Sequence, residues 1–63
     1  MIDMEKHYEA LVLLAKIAEE RTGNKYGITD FAFGFIPFKN DENKVKEVGD
    51  DFVNIAHWLL DEL

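Results

Sequence analysis

Apolar positions recur at helical spacing near both ends of the chain and at strand spacing in the middle. In "DMEKHYEALVLLAKIAEERTG", Met4, Tyr8, Leu11, Ala15 and Ala18 step by four, three, four and three. Val12 and Leu14 widen that stripe into the apolar face of a core-facing helix. Asp3 suits the N-cap, Glu5 the first turn, Arg21 the last turn, and Gly23 the left-handed position that follows. The pattern predicts a helix over about 3–22.

The last third repeats the pattern. Val45, Val48, Phe52, Ile55, Leu59 and Leu63 step by three, four, three, four and four. Asn40 or Asp41 caps the start in this reading, and Glu42 with Lys46 forms a favourable i,i+4 pair. Gly49 interrupts it, at a cost of about 1 kcal/mol against alanine in a helix interior. It marks a kink, a close helix–helix approach, or the end of a short lead-in helix before Asp50 caps a second one. The preferred reading is one helix over about 42–62.

Between them lies an aromatic connecting segment, 24–39, containing "DFAFGFIPF". As a strand it places Phe31, Phe33 and Phe35 on one face and Ala32 and Gly34 on the other. No tight-turn dipeptide separates it from a good neighbouring run, so its backbone partner would come from a second chain. As a helical turn it aligns Phe31, Phe35 and Phe38, but Gly34 and Pro37 oppose it. As a core plug it covers the open sides of the helices, each buried phenylalanine contributing roughly 1.5–3 kcal/mol. The remaining reading is an exposed patch for a partner.

The expected architecture is mainly α: an antiparallel two-helix hairpin with an aromatic-rich connection, completed as a homodimeric four-helix bundle. The alternative is an α+β dimer in which the 30–36 strand pairs across the twofold axis.

Length sharpens that expectation. The chain has 63 residues, enough for a single domain, 1–63. Such a chain buries only roughly 60% of its unfolded surface, and disulfides, a metal or a partner chain usually compensate. It has no cysteine, which removes disulfides and thiolate metal sites. An apolar fraction of 48% separates it from disordered chains. The net charge of −6 disfavours nucleic acid and anionic membranes and suits a basic protein partner. The first residues carry no basic region ahead of an apolar run, and "ALVLLA" is far too short to span a bilayer. A cytoplasmic protein is expected.

Candidate chemistry is sparse. Thr22 and Thr29 are the only aliphatic hydroxyls, and neither stands in a nucleophile motif. "GNKYG" is not a phosphate loop, and neither "HWLLD" nor "DMEKH" is a zincin motif. Asp3 with His7, and His57 with Asp61, are both i,i+4 pairs. On antiparallel helices all four would meet at one end and could bind a divalent metal. Acid doublets such as Asp50–Asp51 form a solvated face or, less simply, mimic nucleic acid toward a basic protein. Trp58 lies in "IAHWLL", which is apolar on nearly all sides and suggests an interface. The reading that unites these features is a non-catalytic interaction or regulatory module without a cofactor. It would bind a protein partner, and itself, through Phe31, Phe33, Phe35, Phe38 and Trp58. The alternative is a small metal-binding protein built on His7, His57, Asp3 and Asp61.

Overall fold

The computed structural model describes residues 4–63. Its order is α1 (Met4–Thr22), β1 (Tyr26–Phe31), β2 (Gly34–Lys39), β3 (Glu42–Asn43), α2 (Val45–Val48) and α3 (Phe52–Glu62). The three strands form one antiparallel sheet in the order β1-β2-β3.

α1 follows its sequence pattern. Leu11, Ala15 and Ala18 are its buried residues, on the stripe the spacing marks. Gly23 ends it at φ 79°, a left-handed conformation that a side chain disfavours, and its N–H donates to the Glu19 carbonyl at 3.0 Å.

The expected α hairpin and its four-helix bundle are not what the chain forms: the fold is α+β. The phenylalanine stretch is neither a lone strand nor half of a pairing across a twofold axis. It bends back on itself at Ala32–Phe33, so that Phe31 pairs with Gly34, Thr29 with Ile36 and Tyr26 with Lys39. Strand alternation then sends Tyr26, Ile28, Phe35 and Pro37 to the helix side, where all four are buried. Thr29, Phe31, Ile36 and Phe38 take the outer face. The core of Leu11, Ala15, Ala18, Tyr26, Ile28, Phe35, Ile55 and Leu59 closes within the one chain. The hairpin supplies what a second pair of helices was expected to supply.

The long second helix is also replaced. Asn40 and Asp41 do not cap a helix; they form a two-residue turn at φ 51° and 68°, the type I′ geometry that joins β2 to β3. Glu42 accordingly pairs with Lys44 at 3.1 Å rather than with Lys46. α2 ends at Gly49, whose φ of 98° and ψ of −178° lie in a region open essentially to glycine alone. Asp51 then caps α3, accepting the Asn54 N–H at 2.7 Å. The three-four spacing survives this break because Val48 and Phe52 both pack against the same core from separate helices.

α1 and α3 run parallel, not antiparallel. His7, near the start of α1, stacks on Phe52, the first residue of α3, with ring centroids 4.2 Å apart. At the other ends, Glu19 of α1 and Glu62 of α3 both hold Tyr26: Glu19 accepts its backbone N–H at 2.9 Å and Glu62 its hydroxyl at 2.6 Å.

Candidate functional site

The aromatic residues of the connecting segment have separate destinations. Phe35 is 2% exposed and stacks toward Tyr8 with centroids 6.4 Å apart, so it is the core plug. Phe38 is half-buried on the outer sheet face. Phe31 is 41% exposed and Phe33, at the hairpin tip, is 89% exposed. Trp58 packs against the core and meets the Tyr26 ring edge-on, centroids 5.7 Å apart. It is an amphipathic residue at the rim of the core, with part of its surface open. Of the five residues singled out, the structure therefore leaves Phe31 and Phe33 together at one exposed place.

A two-residue turn and one close backbone approach put Phe33 at the tip. Ala32 and Phe33 both have negative φ, so the turn is unprimed and uses none of the glycine or asparagine signals of a hairpin. Gly34 follows and carries no side chain because the Asp50 carbonyl comes against its Cα; a Cβ there would fall within the radius of that oxygen. The same carbonyl accepts the Phe35 N–H at 2.9 Å. This bond ties the start of β2 to the Gly49–Asp51 linker and brings the hairpin tip, the N-terminal end of α1 and the N-terminal end of α3 together.

Where these three meet lies a cleft of about 370 Å³, lined by Met4, His7, Phe33, Gly34, Phe35 and residues 50–53. Its walls are mainly apolar. Met4 and Val53 are exposed on its rim at 43% and 57%. Of its polar groups, His7 lies flat on Phe52 and Asp51 spends both carboxylate oxygens on Asn54, at 2.7 and 3.2 Å. Asp50 gives its backbone carbonyl to Phe35 and presents an exposed side chain to solvent. Sequence reasoning named Phe33 and Phe35, and Asp50–Asp51 as an acid doublet, but missed Met4 and Val53. The signal was the string Gly49-Asp50-Asp51, a helix stop followed by a helix start; the cleft itself exists only once the hairpin is known.

Of the residues considered for a metal, the described ones, His7, His57 and Asp61, are not brought together. Asp3 lies outside the described residues. The parallel helices put His7 beside Phe52, while His57 is exposed more than a helical turn further along α3 and Asp61 further still. Among the described residues no group of three or more histidine, aspartate or glutamate side chains is placed to hold a metal ion.

A second polar cluster fastens the opposite end of the molecule. Glu62 Oε1 accepts from the Tyr26 hydroxyl at 2.6 Å and pairs with Lys39 Nζ at 2.7 Å. The Lys39 ammonium first, and then the Tyr26 hydroxyl, hold the Glu62 carboxyl below the usual carboxylate range. The hydrogen bond to Glu62 raises Lys39 in turn. No described helix is long and apolar enough to cross a membrane. In comparison with known proteins, the chain matches no family model and has no significant match to a curated protein or to a solved structure.

Proposed function

We propose that the protein is a non-catalytic interaction module whose docking site is the cleft at the hairpin tip. One observation carries this reading: Phe33 stands 89% exposed beside an apolar cleft, while Gly34 and Phe35, which follow it, are buried. An exposed phenylalanine in a two-residue turn contributes nothing to the core, yet it presents a large apolar surface with few rotatable bonds, as interface anchors do. The cleft lies at the small end of ligand pockets, about 300–1,000 Å³, and its polar groups are mostly engaged internally, which suits an anchoring side chain better than a polar metabolite. The test is selection from a random peptide library displayed on phage, with the wild-type chain and Phe33→Ser as paired baits. Peptides that enrich on the wild type and drop out on Phe33→Ser are expected. Enrichment indifferent to that substitution would contradict the reading.

A further inference from the structure

We infer that the occupant of this cleft is a basic polypeptide segment: one large apolar side chain flanked by lysine or arginine. The inference rests on the cleft being a docking site and adds the chemistry of what docks. Charge is distributed unevenly between the two ends of the molecule.

The cations of the sheet are gathered and neutralised at the far end of the strands. Lys25 pairs with Asp41 at 3.2 Å, Lys39 with Glu62 at 2.7 Å and Lys44 with Glu42 at 3.1 Å, all around the Asn40–Asp41 turn and the end of α3. The tip end is different. Asp50 and Asp51 line the cleft, and among the described residues no lysine or arginine does. Asp30, paired across the hairpin with Phe35, adds a third carboxylate at the same end and is exposed. Lys6 adjoins His7 in α1 but is turned about 100° around the helix from it and does not line the cleft.

Asp51 is engaged as the cap of α3, so Asp50 and Asp30 are the carboxylates left to receive a partner's cations. An apolar floor rimmed by one sign of charge selects the opposite sign in its ligand, by steering the approach and by rejecting like charge. A second copy of this chain would bring the same aspartates to the same place, and its net charge of −6 would oppose the encounter. Nucleic acid is excluded by the same sign. What fits is a segment whose leucine, methionine or phenylalanine enters between Phe33, Met4 and Val53 while its lysines or arginines reach Asp50 and Asp30.

The test uses three synthetic peptides that share a central leucine and differ in its flanks: lysines, serines or glutamates. Each is titrated into the full-length, 15N-labelled protein at low salt. The lysine peptide is expected to shift the amide signals of His7, Phe33, Gly34 and residues 50–53. It should bind at least about tenfold more tightly than the serine peptide, with the glutamate peptide weaker again. The double variant Asp30→Lys/Asp50→Lys should reverse that order, and because both side chains are exposed the fold should persist, as its amide spectrum will report. Equal binding of the lysine and serine peptides at the cleft would overturn the basic partner while leaving the docking site standing. Shifts centred elsewhere, on Leu13 and Leu60 for example, or no binding of the lysine peptide, would overturn the inference. If no peptide touched the cleft and library selection also ignored Phe33, the docking site itself would fall.

Discussion

Gly49 decides whether the last third of the chain is one helix or two. In a continuous helix over 42–62 it would be a defect, and Gly49→Ala would stabilise the protein by about 1 kcal/mol. In the observed fold it holds φ 98° and ψ −178°, and a Cβ would lie 3.3 Å from the Asn54 side-chain nitrogen, Nδ2. The expected outcome is therefore a loss of about 1–3 kcal/mol in urea unfolding of Gly49→Ala. The sign alone separates the two architectures. In the sequence this glycine admits the end of a short lead-in helix as one of its meanings. The helical spacing of Val45, Val48, Phe52 and Ile55 outweighed it, because spacing reports which residues face the core and is blind to a backbone break between two elements that face the same core.

At the scale of elements, α1 was legible because three independent signals coincided: the apolar stripe, Arg21 in the last turn and Gly23 at the left-handed position. The hairpin was not, because its first turn uses Ala32 and Phe33 without a residue at positive φ, and its key glycine serves close approach to Asp50. The second turn did carry a signal. Asn40 and Asp41 favour the left-handed region, but the same side chains serve equally well as helix caps, so the signal is ambiguous. That turn can be improved. Asp41 sits at φ 68°, and its ion pair with Lys25 joins side chains that are 70% and 81% exposed, a geometry that contributes little. Asp41→Gly makes the preferred Asn-Gly turn and should raise stability by up to about 1 kcal/mol, read as a higher urea midpoint.

The whole molecule is a two-layer fold fastened differently at its two ends. At one end Glu62 latches the last turn of α3 to Tyr26 and Lys39. Because its folded pKa is lowered, the stability this carboxylate contributes is present above its ordinary value of 4.5 and is lost as pH falls through the folded value. Thermal unfolding should thus show a decline on acidification below about pH 4.5, the ordinary value, and Glu62→Gln should flatten it. The other end is held by the Asp50 carbonyl and leaves an apolar cleft beneath an exposed phenylalanine. The sequence showed that the aromatic segment was unusual but could not divide its members, since Phe33 and Phe35 alternate on one face of any single strand. A turn between Phe31 and Gly34 breaks that alternation, burying Phe35 and freeing Phe33.

That division is the claim on which the docking site depends, and urea unfolding of Phe33→Ser tests it most directly, with Phe35→Ala as the reference. Phe35→Ala should cost about 3–5 kcal/mol, as truncation of a buried phenylalanine does. Phe33→Ser should stay within about 0.5 kcal/mol of the wild type, as exposed positions do. A loss of about 2 kcal/mol or more at Phe33 would show that its ring is packed in the folded protein, and the tip would not be a free docking surface.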